Sequence, residues 1–161
     1  MSILKVDTIN EKTTGNGVQI AGHVIQYQQR HFDLGGGFTT STASYIDFTN
    51  VYVDITPKFS NSLIKFRTQV FGKNATSTGY SQFQIVDTNN SNTRFNVNTA
   101  AESAFYEETG WNTSVITAVN TANTTSTMRL QLRIFTSTSH TSVFNWSSGD
   151  SRHVEAWEIA Q

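Results

Sequence analysis

The chain has 161 residues, a formal net charge of −1 and no cysteine; only 14% of its side chains are charged, against roughly 25% in an average domain. Disulfides and thiolate metal sites are excluded, and a near-neutral chain gives no electrostatic case for nucleic acid or an acidic membrane surface. Thr, Ser and Asn supply about a third of the residues, so the surface is dominated by uncharged polar groups around one hydrophobic core.

The opening stretch LKVDTINEKTTGNGVQIAGHVIQ, residues 4–26, looks like two short strands around a polar turn. Leu4, Val6 and Thr8 alternate with Lys5, Asp7 and Ile9, and after Asn16–Gly17 the residues Val18, Ile20 and Val24 recur at even spacing. Alternation is a strand signal and Asn-Gly a turn signal. A lone two-stranded unit is marginal in water, so this segment needs a surface to pack against. The chain therefore divides into an N-terminal β segment, residues 1–24, and a globular domain, residues 25–161. YQQRHFDLGGGF either bridges the two or forms the first strands of the domain, with Gly35–Gly37 as a loop or bulge.

Strands follow in quick succession, near 51–56, 62–71, 80–87, 113–120, 126–136 and 152–160. Val51, Val53 and Ile55 share one face. Ile64, Phe66, Thr68 and Val70 share another, opposite Lys65, Arg67 and Gln69. Phe83 and Ile85 mark the next strand, and TSVITAV presents Val115, Thr117 and Val119. Met128, Leu130, Leu132 and Ile134 oppose Arg129, Gln131 and Arg133. In the closing RHVEAWEIA, Val154 and Ala156 alternate with His153, Glu155 and Trp157, which puts Trp157 on the other face, where it would cover an inter-subunit surface. One buried and one solvated face is the antiparallel pattern. No window carries convincing helical spacing, although NTAAESAFYEE is compatible with one short helical turn. The expected fold is an all-β, antiparallel, jelly-roll-like β-sandwich of eight to ten strands.

Chemistry-bearing motifs are scarce. Gly35–Gly37 lacks the Lys-Ser/Thr of a phosphate loop and the spacing of a dinucleotide fingerprint. His23, His31, His140 and His153 form no metal-binding pattern and read as surface or strand-edge residues, so no metal and no cofactor is expected. Glu102, Glu107, Glu108, Asp150, Glu155 and Glu158 include no pair whose spacing names an acid and a base, and Glu107–Glu108 reads as a solvated pair. No catalytic residue is assigned. Five Asn-x-Ser/Thr triplets, at Asn74, Asn89, Asn112, Asn123 and Asn145, are a chance consequence of the composition, since no basic region followed by an apolar stretch marks a signal peptide. No apolar run approaches the length of a spanning helix, and the chain reads as a soluble protein made in the cytoplasm.

Two loop tryptophans remain. Trp111 in EETGWNTS and Trp146 in VFNWSSGDS sit among amides and hydroxyls, with Tyr106 before the first. Such rings either tuck over the end of the core or stand out as platforms for a sugar ring, and the first is the commoner arrangement. The candidate contact residues are Tyr106, Trp111, Asn112, Asn145, Trp146 and Asp150.

SILKVDTINEKTTGNGVQIAGHVIQ resembles the N-terminus of tail-fibre-like structural proteins of marine bacteriophages and cyanophages. There a Leu-Lys-Val-Asp-Thr-Ile start leads through a polar turn to a Val-x-Ile segment. TSTASYIDFTNVYVDITPKFSNSLIKFRTQV is similar to their Thr-Ser-Tyr-Val-Asp … Ile-Thr-Pro … Ser-Asn-x-Ile stretch, and VEAWEIA to their close. Residues 2–70 carry the resemblance, residues 71–151 share only composition, and YQQRHFDLGGGF departs from the pattern. The resemblance implies a virion protein, a short homotrimeric fibre or appendage in contact with other virion proteins. Leu4, Val6, Val18 and Ile20 would then be buried between chains, and distal loops would touch host glycan or a neighbouring virion protein. The rivals are a capsid decoration or cement protein, a small carbohydrate-active enzyme and a jelly-roll signalling domain.

Overall fold

The computed structural model describes residues 20–32, 37–75, 80–95, 104–106, 110–137, 141–144 and 152–161. Among them lie eleven strands: β1 (Val24–Phe32), β2 (Phe38–Thr40), β3 (Ile46–Ile55), β4 (Leu63–Asn74), β5 (Tyr80–Asp87), β6 (Thr93–Arg94), β7 (Ala104–Tyr106), β8 (Asn112–Thr121), β9 (Met128–Thr136), β10 (Ser142–Phe144) and β11 (Arg152–Ile159). The expected all-β, antiparallel sandwich is what the chain forms. YQQRHF belongs to β1 rather than to a bridge. Residues 104–106 of the stretch compatible with a helical turn are strand β7, and the remainder of that stretch lies outside the described residues. A single 3-10 turn falls instead at Thr88–Asn90, where the Asp87 carboxylate accepts the Asn89 N–H at 3.1 Å.

Every strand pair is antiparallel. In the larger sheet β1, β11, β4 and β8 lie side by side, and β10 followed by β2 continues from the far end of β4. In the smaller sheet the order is β3, β9, β5, with β6 and β7 on the outer side of β5. The pairings are nested: β1 with β11, β3 with β9, β4 with β8, β5 with β6. A long hairpin rolled up on itself gives this order, which is the jelly roll.

The core fills the space between the sheets. Phe48, Val51, Val53 and Ile55 from β3 meet Ile64, Phe66 and Val70 from β4, with Phe83, Ile85, Leu130, Leu132, Ile134, Phe144 and Val154 around them. Alternation held for each of these strands except one. On β8 the buried residues are Ile116 and Ala118, whereas Val115 and Val119 are 48% and 45% exposed. The expected face of TSVITAV is therefore reversed. Both parities are apolar here, so alternation alone could not choose between them, and the branched valines weighed more than Ile116 with an alanine.

Two local devices shape the sandwich. β3 is bulged between Asp47 and Tyr52, with Asn50 in the left-handed region at φ 66°, a conformation asparagine tolerates. Gln131, on the nominally solvated side of β9, is buried beneath this bulge. Its amide nitrogen donates to the carbonyls of Phe48, Val51 and Leu132 at 2.9, 3.2 and 2.9 Å, while Arg30 reaches the Asn50 carbonyl from β1. At the far end of β4, Gly72 lies beneath the Phe144 ring, and a β-carbon there would approach that ring to 2.4 Å. The glycine lets a core phenylalanine pack against backbone.

Glu158 is the largest polar exception. It is fully buried, on the inward side of β11. One carboxylate oxygen accepts the backbone N–H groups of Lys58 and Phe59 at 2.9 and 3.0 Å, and the other accepts the Lys58 N–H at 2.9 Å and the Gln26 amide at 2.6 Å. The closing strand thus fastens the β3–β4 connection and β1 to itself. Glu158→Ala leaves the Lys58 and Phe59 N–H groups without this acceptor, while the Gln26 amide keeps its bond to the Thr56 carbonyl, an expected loss of about 3 kcal/mol; Glu158→Gln, which keeps one acceptor oxygen, is expected to lose less. Urea unfolding midpoints measure both, and an alanine variant as stable as wild type contradicts the assignment.

Candidate functional site

The sandwich has two ends and two outer faces. At one end, Gly22 N–H donates to the Ala160 carbonyl at 2.9 Å and Ala160 N–H returns a bond of 2.9 Å to His23. This is where the chain enters β1. The connections 56–62, 88–92 and 122–127 lie at the same end. At the other end, Gly72 of β4 pairs with Asn112 of β8 on one side and with Phe144 of β10 on the other. Asn112 and Phe144, far apart in sequence, therefore stand on either side of one residue of β4, away from the chain entry.

Of the residues expected to make contacts, three are described. Tyr106 ends β7, its backbone opposite Tyr80. Asn112 begins β8, and its amide donates to the Gly110 carbonyl at 3.3 Å. Trp111 neither stands clear nor tucks into the core. Its half-buried ring lies on Phe71, with centroids 5.0 Å apart and planes 17° from parallel. The Lys73 ammonium stands 5.0 Å from the Trp111 centroid and the Arg152 guanidinium 5.8 Å from that of Phe71. Phe71 points away from the core, so this stack rests on the outer face of the larger sheet. Asn145, Trp146, Asp150, Glu107 and Glu108 lie outside the described residues, as do Leu4, Val6 and Val18. Ile20 is 41% exposed.

The same outer face carries further ring contacts. Cross-strand register aligns Tyr27, Trp157, Lys65 and Val119 in one row, and Gln29, Glu155, Arg67 and Thr117 in the next. Tyr27 and Trp157 are in ring contact at 5.4 Å, with the Lys65 ammonium 5.5 Å from the indole. Trp157 thus faces outward, as its alternation predicts. Glu155 gathers the polar groups: it accepts the Tyr27 hydroxyl at 2.9 Å, His153 Nε2 stands at 3.4 Å and Arg67 Nη1 at 3.8 Å. Desolvation and, after it, the bond to Glu155 push the Tyr27 phenol above its ordinary value. His31 lies opposite His153, their rings 6.0 Å apart. Where the edge of β4 changes partner from β11 to β10, Arg67, Thr68, Gln69, Arg152, His153 and Glu155 line a cavity of about 130 Å³.

The smaller sheet presents a different surface. Arg129 makes a two-pronged pair with Asp54, both bonds 2.8 Å, and Arg133 pairs with Asp47 at 3.1 Å. The bond to Asp54 drives the Arg129 guanidinium further above its ordinary value. The Tyr52 ring sits between the guanidinium groups of Arg30 and Arg129, at 3.8 and 4.3 Å. This is a solvated, ion-paired face whose exposed pairs contribute little to stability.

Glu155 is engaged by Tyr27, His153 and Arg67, and Glu158 by backbone donors. Among the described residues no group of three or more His, Asp or Glu converges as a metal site, and no helix is long and apolar enough to cross a membrane. Glu158 was open to detection in the sequence, because strict alternation through VEAWEIA puts it on the side of Val154 and Ala156.

No family model and no curated protein matches this chain. Solved structures do. A particle with T=1 symmetry derived from infectious bursal virus matches over 98% of this chain and 41% of the viral one, at 13% identity and a TM-score of 0.50. The infectious bursal disease virus Gt strain matches over 98% and 43%, at 12% identity and 0.46. The Eiger TNF of S. frugiperda matches over 84% and 92%, at 8% identity and 0.46. At these identities the likeness is one of fold, and this chain spans less than half the length of the viral chains.

The Phe71–Trp111 stack has a direct test. A double-mutant cycle of Phe71→Ala and Trp111→Ala, read by urea unfolding, is expected to give a coupling of about 0.5–1.5 kcal/mol. Strict additivity would show that the rings do not meet.

Proposed function

We propose that this chain is a phage virion structural protein: a homotrimeric short fibre or appendage, attached to the particle by its N-terminal segment and meeting host glycan or a neighbouring virion protein with its far loops. The observation that carries this reading is the direction of the sandwich. The chain enters beside Ala160, while Asn112 and Phe144, which border the two aromatic loops, flank Gly72 at the other end of β4. The separation is about the length of that strand, roughly 30–40 Å for its twelve residues. Attachment at one end and contact at the other is the geometry an appendage needs. The resemblance of residues 2–70 to tail-fibre-like proteins supports the same reading. The particle derived from infectious bursal virus provides a virion example of the fold.

The assignment includes no enzymatic activity, since no nucleophile–base or metal-ligand constellation can be named from the residue pattern of the sequence. The protein is made in the host cytoplasm and resides in the virion. Contact through a few amides and rings is weak at each site, and threefold display raises avidity without new contacts.

Phage carrying Trp111→Ala together with Trp146→Ala supplies the test. Adsorption to host cells is expected to fall several-fold while the particles stay as heat-stable as wild type. Normal adsorption with heat-labile particles would instead indicate a capsid cement, and no change in either would refute a contact role for these loops.

A further inference from the structure

We propose that the outer face of the larger sheet binds an acidic polysaccharide, held by the cations of β4 and the aromatic rings beside them. This deepens the host-glycan reading above and rests on it: it names the acidic class and adds a sheet surface to the loop contacts.

The near-zero net charge of the chain conceals an uneven distribution. On the outer face of the smaller sheet the charges are paired, Asp54 with Arg129 and Asp47 with Arg133. Glu158 is buried among its own hydrogen bonds. On the outer face of the larger sheet, Lys65, Arg67 and Lys73 project from one strand with Arg152 beside them. The one carboxylate among the described residues there is Glu155. Its side chain is 13% exposed and already accepts the Tyr27 hydroxyl. Arg67 stands 3.8 Å from it, beyond hydrogen-bond distance, with its own side chain 52% exposed. Its donor fork is therefore presented to solvent, in the lining of the cavity it shares with Gln69 and His153. A guanidinium fork matches a carboxylate or sulfate group through two parallel bonds.

The spacing of the cations narrows the class of anion. Lys65 and Lys73 lie eight residues apart on β4, roughly 26 Å at about 3.3 Å per residue, with Arg67 between them. Duplex DNA carries one charge per about 1.7 Å of its length, far denser than this row can neutralise. A polysaccharide with one acid group every sugar or two is sparse enough to match. Hydroxyl partners are at hand as well. Gln69 alternates with the cations, and Thr117 and Thr113 on β8 lie opposite Arg67 and Phe71. Tyr27, Trp157 and Phe71 supply ring surface against which the C–H face of a sugar packs. The row runs up β4 to Lys73, next to Gly72, and so toward the contact end of the molecule.

Biolayer interferometry of the full chain tests the inference on immobilised polygalacturonate, dextran, a single-stranded DNA oligonucleotide and purified host surface polysaccharide. Lys65→Gln/Lys73→Gln removes two charges from the face, and Arg129→Gln/Arg133→Gln removes two from the other sheet. Far-ultraviolet circular dichroism checks that each is folded; should the lysine pair unfold the protein, Arg67→Gln alone replaces it. The expected result is binding to polygalacturonate and host polysaccharide, none to dextran, and weakening as salt is added. Affinity is expected to fall several-fold in the lysine variant and to hold in the arginine variant. A wild type that ignores polygalacturonate, or a lysine variant that binds it equally well, overturns the inference. Tighter binding to the oligonucleotide overturns the choice of occupant. Host polysaccharide held alike by wild type and lysine variant overturns this site and leaves the glycan reading of the loops standing.

Discussion

The structure depends on where its last strand goes. β11 enters the larger sheet between β1 and β4, pairing with the first strand on one side and with the centre of the chain on the other. Remove it and the sheet divides, so formation of the core waits on contacts more than a hundred residues apart in sequence. Loop closure over such a span costs entropy before any contact repays it. Glu158 makes the insertion specific. A carboxylate that finds its donors only when β1 and residues 58–59 stand on either side of β11 favours this register over a slipped one, in which the charge would be buried unpaired.

From that insertion the outer face follows. With Val154 and Ala156 committed to the core, Glu155 and Trp157 must point outward, and pairing with β1 and β4 brings Tyr27, Lys65 and Arg67 beside them. The aromatic contact and the polar cluster at Glu155 are consequences of one strand register. The partner change on β4, from β11 to β10, likewise opens the cavity beside Arg67 and sets Phe144 over Gly72. The direction of the molecule, with entry by Ala160 and the loop borders by Gly72, comes from the same rolled hairpin.

Much of this was legible in the residues, for a simple reason. Strands with one apolar and one polar face declare both their existence and their orientation, as LIKFRTQVF and MRLQLRIF do. TSVITAV failed because it is apolar on both parities, and Val115 and Val119, which alternation favoured for the core, are about half exposed. Gln131 could not have been foreseen, since its burial depends on a bulge in β3, eighty residues away. The stacking of Trp111 on Phe71 is likewise a tertiary event, created when the start of β8 pairs with the far end of β4.

The central claim is a virion appendage that attaches where the chain enters β1 and makes its contacts from the opposite end of β4. Imaging the intact particle at a resolution that traces strands tests it most directly. The account predicts density for this chain outside the capsid shell, in threefold groups, with the entry of β1 beside Ala160 toward the particle and the end bordered by Asn112 and Phe144 pointing away from it. Single copies, the reverse orientation, or absence of the chain from the particle would contradict it.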